Sequence, residues 1–388
     1  MRSRLSLLLV AVPLAVAGCG GGHHGAASTP SASSGSVSPP AGSVDFATTG
    51  WKTDFSKHSV PLSEFHSGGP PRDGIPPIDH PKPVSIRKMG RLLDEREPVM
   101  VVQIGGAVRA YPLEILVWHE IVNDVLGGRP IAVTYCPLCN SSLVFDRRLG
   151  RRTFTFGTTG NLRNADLVMW DRQTQSWWQQ LTGQAVVGSL TGTRLTPLPV
   201  ETVSWAQFKR RYPSGSVLSL DTGFDRPYGD NPYGGYESAK EVPSFFTSRP
   251  NTRLPPKERV AAVFSGRETL VVPFSKLRRS PVVQLQSGRT PIAVLYDPHV
   301  RSVLDATAVS RSREVGTAAA FDRRVRGRTL DFVSRGGAFV DRQTGSTWDV
   351  TGRALVGRLR GAQLRPVRHD EQFWFALAAF VPHPRILR

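Results

Sequence analysis

The sequence predicts a mainly β fold, a β-rich α+β chain made of two tandem, duplicated β-barrel- or sandwich-like domains with short helices. Three observations lead there. Short apolar runs alternate with Gly-Gly and proline turn signals throughout. With 31 prolines and 37 glycines in 388 residues, turns are favoured over long helices. One order of motifs also occurs twice, and a duplication of that length makes a tandem pair rather than a solenoid.

The N-terminus reads as an export signal. Arg2 and Arg4 precede an apolar run from Leu5 to Ala17, too short for a permanent span. Val16-Ala17-Gly18-Cys19 resembles a bacterial lipobox, in which the cysteine is acylated and becomes the first mature residue. Residues 1–19 are thus expected to be a lipoprotein signal peptide with Cys19 lipidated. The chain is expected to be extracytoplasmic and lipid-anchored to the cell membrane. The formal charge of +18 would suggest nucleic acid for a cytoplasmic protein. In an exported one it meets anionic envelope surfaces instead, and no nucleic acid is expected. Residues 20–43, rich in Gly, Ala, Ser and Pro, read as a flexible linker; His23 and His24 lie in it.

Residues 44–98 read as an extended lead-in with proline pairs. The first β-rich domain, 99–213, opens with a hairpin: Val99 to Ile104, a Gly105-Gly106 turn, then Ala107 to Tyr111. Pro112 to Trp118 fits one or two helical turns, with proline at the first position. His119 to Leu126 and Arg129 to Tyr135, around Gly127-Gly128, read as a second hairpin. Leu143 to Phe145, Thr153 to Phe156 and Leu167 to Asp171 continue the strands. Ser204 caps a short helix that Pro213 stops. Residues 214–259 form an aromatic, Gly- and Pro-rich interdomain loop. Its tract Asp221 to Tyr236 reads as a cover over the first domain's site or as an interdomain strap. Residues 260–382 repeat the first domain. Pro130-Ile-Ala-Val matches Pro291-Ile-Ala-Val, and Asp171-Arg-Gln-Thr174 matches Asp341-Arg-Gln-Thr344. Thr182, Leu195, Trp205 and Pro213 match Thr351, Leu364, Trp374 and Pro382 at one constant spacing.

The copies differ where chemistry would sit. Cys136, Cys139 and His119 become Asp297, Val300 and Ser280, and Asp166 and Met169 have no clear counterparts. The second copy therefore reads as a degenerate repeat without the site, and Asp297 with His299 as an ordinary polar turn. A Cys-x-x-Cys pair can form a disulfide, cycle as a redox couple, or hold a metal. Thioredoxin-like pairs begin a helix, which lowers the thiol pKa. Here a turn and a strand follow. Cys136-Pro-Leu-Cys-Asn140 instead resembles a rubredoxin-type metal knuckle, with Asn140 tolerating positive φ. If the second hairpin extends to its base, His119 faces Cys136 as a non-hydrogen-bonded pair, Cα atoms about 4.5 Å apart. Glu120 and Asp124 then lie on the other face.

Three readings follow. In the metal reading, Cys136, Cys139, His119 and Met169 hold a soft ion, copper before zinc. In the redox reading, the chain is a thiol–disulfide or peroxide oxidoreductase. Cys136 attacks beside His119, and Cys139 resolves. In the third, a non-catalytic binding or structural module keeps a Cys136–Cys139 disulfide.

Tyr111-Pro112-Leu113, Trp118-His-Glu-Ile-Val-Asn-Asp124, Thr134-Tyr-Cys-Pro-Leu-Cys139, Phe145-Asp146, Asp166-Leu-Val-Met-Trp-Asp171 and Asp221-Thr-Gly223 together resemble the prokaryotic family catalogued as domain of unknown function 3179, over about residues 80–250. Selenocysteine in the Cys motif of some relatives implies redox chemistry there. This chain has Asn140 where the family more often has glycine.

Overall fold

Gly105 and Gly106 close the first hairpin at φ 55 and 85, and Gly127 and Gly128 the second at φ 54 and 77, the left-handed pairs that two-residue turns require. Gly127 has a further reason to be glycine: a Cβ there would meet the Ile104 carbonyl oxygen at 2.3 Å, so the two hairpin tips could not approach. The computed structural model describes residues 46–90, 92–266 and 268–387. The signal peptide, Cys19 and the linker 20–43 lie outside them.

The first half runs β1 (Pro98–Ile104), β2 (Ala107–Pro112), α1 (Leu113–His119), β3 (Ile121–Leu126), β4 (Arg129–Cys136), β5 (Ser141–Asp146), β6 (Phe156–Arg163), β7 (Asp166–Asp171), β8 (Trp177–Gln179), β9 (Gln184–Val187), β10 (Thr196–Leu198), β11 (Glu201–Ser204) and α2 (Trp205–Arg211). These strands make three sheets, ordered β11-β1-β2, β10-β5-β4-β3 and β6-β7-β8-β9. The lead-in is woven into them. Phe65–Ser67 pairs with β6, Ile78 bridges Val122, and Pro83–Ser85 joins the first sheet through Ser216–Leu218. α2 begins at Ser204 with a full capping box closed by Gln207.

The second half rebuilds the same sheets: β12 (Arg259–Ser265), β13 (Glu268–Pro273), α3 (Phe274–Arg279), β14 (Val282–Ser287), β15 (Thr290–Asp297), β16 (Thr317–Asp322), β17 (Phe332–Arg335), β18 (Ala338–Asp341), β19 (Thr347–Trp348), β20 (Ala354–Val356), β21 (Arg365–Pro366), β22 (His369–Phe373) and α4 (Trp374–Phe380). Their orders are β22-β12-β13, β14-β15-β16-β21 and β17-β18-β19-β20. The fold is mainly β, in several open sheets with few short helices and no closed barrel among the described residues.

The halves share a core. Val303, Leu304, Phe373 and Phe375 pack in the same apolar cluster as Tyr135, Cys136 and Cys139. β22 packs against β5 of the other half, and β11 packs against β16. The Phe373 N–H donates to the Cys139 carbonyl oxygen at 2.9 Å.

The repeated Asp-Arg-Gln-Thr motif has a structural role in both copies. Asp171 accepts from the Thr174 N–H at 2.6 Å and from the indole N–H of Trp178 at 2.9 Å; Asp341 does the same for Thr344 and Trp348. Trp178 lies edge-on to Phe156 and is fully buried. Trp178→Ala is expected to cost about 3–5 kcal/mol, read as a lowered urea midpoint. A loss near that of a surface substitution would refute this placement.

α1 is where the sequence reading needs correction. The second hairpin has the expected register, Leu126 opposite Arg129 and Ile121 opposite Thr134. Its strand, however, begins at Ile121. His119 is the last residue of α1, and Glu120 caps the helix at φ 57, donating its N–H to the Leu116 carbonyl oxygen at 2.8 Å. A left-handed residue reverses the chain direction, and glutamate gives no sequence warning of one. His119 therefore never enters the ladder opposite Cys136.

α1 also carries Glu114, which meets Glu97 in a buried pair. Glu97 Oε2 and Glu114 Oε1 have no geometric hydrogen-bond partner. Burial pushes both carboxyls up, and the Glu97 charge adds to the rise at Glu114. A carboxyl whose folded pKa is raised contributes stability at low pH, lost as pH rises through the folded value. Stability should thus decline from pH 5 toward pH 9, and Glu114→Gln should flatten that decline. Parallel melting profiles for the two proteins would contradict this.

Candidate metal centre

β4 ends at Cys136, whose pairing partner Ser141 starts β5, so the Cys-x-x-Cys segment is the turn of a hairpin. The Asn140 N–H donates to the Pro137 carbonyl oxygen at 3.1 Å, and Asn140 takes φ 51, as its residue type foretold. The Tyr135 hydroxyl donates to Asn140 Oδ1 at 3.1 Å. Gln180 ties the hairpin to its neighbour, donating to the Thr134 hydroxyl at 3.0 Å and accepting from Ser141 at 2.8 Å. No helix follows the cysteines, so no helix dipole lowers their pKa.

Both thiols are free and buried, Cys136 1% and Cys139 0% exposed. They face the turn between β6 and β7, where Asn164 and Ala165 hold consecutive positive φ values of 52 and 61. Such a conformation is costly for alanine and persists only where its surroundings impose it. It presents the Ala165 carbonyl oxygen to both sulfurs, 3.7 Å from Cys136 and 3.5 Å from Cys139.

The next residue, Asp166, completes the cluster. One carboxylate oxygen of Asp166 and the two sulfurs lie within 4.8 Å of one another, all fully buried. Asp166 Oδ2 accepts from Gln179 at 2.5 Å and from the Leu181 N–H at 3.0 Å. The Cys139 and Cys136 thiols add weaker hydrogen bonds to the same carboxylate. Burial pushes the carboxyl up to about 7 despite the pull of the Leu181 N–H and Gln179. Burial likewise raises Cys136 and, more strongly, Cys139. Glu120 is pushed up to about 8, by burial first and by the charge of Asp166 second. Both thiols and the Asp166 carboxyl are thus held toward their protonated forms, a bias that a bound cation would reverse.

The interdomain loop seats on this site and also straps the halves. The Tyr236 hydroxyl donates to the Leu138 carbonyl oxygen at 2.8 Å. Lys257 lies 3.7 Å from the Tyr236 ring centroid and donates to its carbonyl oxygen at 2.7 Å. Asn231 and Gly235 donate from their backbones to Thr307 and Asp305. A cavity of about 120 Å³ beside the turn is lined by Glu120, Leu138, Leu167, Tyr233 and Phe245, among others.

Of the residues singled out in the sequence, the fold brings Cys136 and Cys139 together. His119 goes elsewhere: its Nδ1–H donates to the Pro76 carbonyl oxygen at 2.7 Å, and Nε2 accepts from the Tyr228 hydroxyl at 2.6 Å. Burial lowers its pKa, so the ring is neutral. Met169 sits in β7 opposite Thr158 and Trp178, within the main apolar core. Asp166 was missed as a site group, and Glu120 was set on the face away from the sulfurs. Asp166 did carry a signal, because the second copy offers no clear counterpart to it. In that copy Asp297 accepts from the His299 N–H and from Gln207, as a polar turn does.

No curated protein and no solved structure matches the chain. Over residues 72–384 the sequence matches the family described as Protein of unknown function (DUF3179), and the chain belongs to that family.

Proposed function

We propose that this is a lipoprotein, anchored outside the cytoplasm through Cys19, whose first repeat binds a soft divalent ion through Cys136, Cys139 and Asp166, zinc ahead of copper. The observation that carries this reading is the fully buried cluster of two free sulfurs and an Asp166 carboxylate oxygen, all within 4.8 Å of one another. Such a dry cluster of acids is costly to ionise without a counter-charge. A cation would supply one and reverse the bias toward the protonated forms. Tetrahedral zinc, with Zn–S about 2.3 Å and Zn–O about 2.0–2.2 Å, places its ligands roughly 3.3–3.8 Å apart, within the spread of this cluster. The carboxylate favours zinc over copper(I), which prefers sulfur ligands throughout. Glu120, its carboxyl pushed up to about 8, supplies a protonated group near the sulfurs. The membrane is the partner through the lipid anchor, and the basic surface faces anionic headgroups and wall polymers.

A redox reading keeps one specific support: two adjacent thiols with a carboxyl poised near neutrality. In it Asp166, rather than His119, takes the thiol proton. Full burial of both sulfurs weighs against it, since a macromolecular disulfide would need access to one of them. Metal analysis of protein isolated from the envelope separates these readings. One zinc per chain is expected, lost in Cys136→Ser and Asp166→Asn. Metal no higher than in the Cys136→Ser control would reject the metal reading. A Cys136–Cys139 couple well below about −300 mV would then indicate a structural bond rather than a cycling one.

A further inference from the structure

The largest cavity described lies between the repeats, away from the Cys turn, and encloses about 450 Å³. That is within the usual range for small-molecule sites. Its walls come from both halves. Pro197 to Glu201 line one side and Pro366 to Asp370 the other. These two segments are equivalent in the duplication: the spacing that matches Leu195 to Leu364 and Trp205 to Trp374 also matches Glu201 to Asp370. The cavity is therefore built where the two copies of one segment face a common space, and each contributes an acid.

No hydrogen-bond donor among the described residues reaches either carboxyl, of which Asp370 is buried and Glu201 half-buried. Asp370 is 7% exposed, and its only favourable partner is the field of Arg368. The Arg368 guanidinium is engaged over the Phe264 ring, 4.5 Å from its centroid. Glu201 feels Arg211 and Asp349 through space and makes no hydrogen bond. Burial raises both carboxyls, Asp370 to about 6 and Glu201 to about 7, and neither perturbs the other. They stand on edge strands of different sheets, Glu201 opposite Val101 and Asp370 opposite Ala262. Between them the walls are largely apolar, with Val144, Leu198 and Val367. His369 adds another acceptor, since its Nδ1–H donates to the Val367 carbonyl oxygen at 2.8 Å and Nε2 keeps its lone pair.

We propose that this inter-repeat cavity binds a small dicationic amine with an apolar spacer, one ammonium on Asp370 and the other on Glu201. An apolar cavity with two separated, unpartnered carboxyls selects for charge at both ends of a ligand and carbon in the middle. The second repeat, which lacks the cysteine pair, then has a role as half of a binding site. This inference does not depend on the metal reading.

The test uses the purified full-length chain and isothermal titration with three probes built on one eight-carbon chain: 1,8-diaminooctane, octylamine and 1,8-octanediol. The diamine is expected to bind most tightly and the diol least. Each lost ammonium–carboxylate contact should weaken binding about ten- to hundredfold. Asp370→Asn and Glu201→Gln should each reduce the diamine to the affinity of octylamine, and neither should lower the melting temperature. Leu198→Trp, which fills the cavity, should abolish binding of all three. The proposal is overturned if the diol binds as well as the diamine, if octylamine does, if Asp370→Asn leaves diamine binding unchanged, or if no probe binds at millimolar concentration.

Discussion

Glu237→Ala is expected to destabilise the protein by about 3–5 kcal/mol. Glu237 and Arg259 are 5% and 10% exposed at their side chains. They form a two-pronged pair, Arg259 Nε to Oε1 at 2.6 Å and an Nη to Oε2 at 2.9 Å. The Ser302 hydroxyl donates to the same carboxylate. Removing the acid leaves a buried guanidinium without its counter-charge. The pair also fastens the loop next to Tyr236, the residue that closes over Leu138. The variant should therefore admit thiol reagents to Cys136 and Cys139 sooner than the wild type. Replacing both partners, Glu237→Met with Arg259→Leu, should recover much of the loss, because no charge is then stranded. If Glu237→Ala lowers the denaturation midpoint no more than a surface change, the strap is not what holds the halves together.

The second large effect concerns the ion. A ligand that binds only the folded state stabilises it by about 2.7 kcal/mol at a hundredfold excess over Kd and about 4.1 kcal/mol at a thousandfold excess. Zinc added to chelator-treated protein should raise the melting temperature progressively, while Asp166→Asn and Cys139→Ser should show little response. Met169→Leu should respond like the wild type, as should His119→Gln if it folds, since the proposed ligand set contains neither residue. A zinc response lost in His119→Gln but kept in Asp166→Asn would restore the arrangement read from strand pairing alone.

That contrast marks what the sequence could and could not disclose. Periodicity and glycine pairs gave both hairpins and their register. Ser204 and Gln207 announced a helix start, and the double occurrence of Asp-Arg-Gln-Thr announced a repeated fold. Asn140 announced a turn of positive φ. The error was one of direction at a single residue. Glu120 adopts a left-handed conformation that its chemistry does not advertise, so the chain turns one residue later than alternation implies. The imidazole then points toward Pro76 and Tyr228, and a carboxyl takes its place near the sulfurs. Asp166 was legible only as a difference between copies. Nothing in the spacing from Cys139 to Asp166 says that two strands and a strained Asn164-Ala165 turn bring them together. The choice between barrel and sandwich was not legible for another reason. Pattern gives strands, whereas closure depends on which edges meet, and here the sheets stay open and pack across the repeats.

X-ray absorption at the zinc edge, on protein isolated from the cell envelope, bears most directly on the proposed centre. Two sulfur scatterers at about 2.3 Å and oxygen or nitrogen at about 2.0–2.2 Å are predicted, with the sulfur signal halved in Cys136→Ser if metal is retained. A metal-free protein with an intact Cys136–Cys139 disulfide would contradict it.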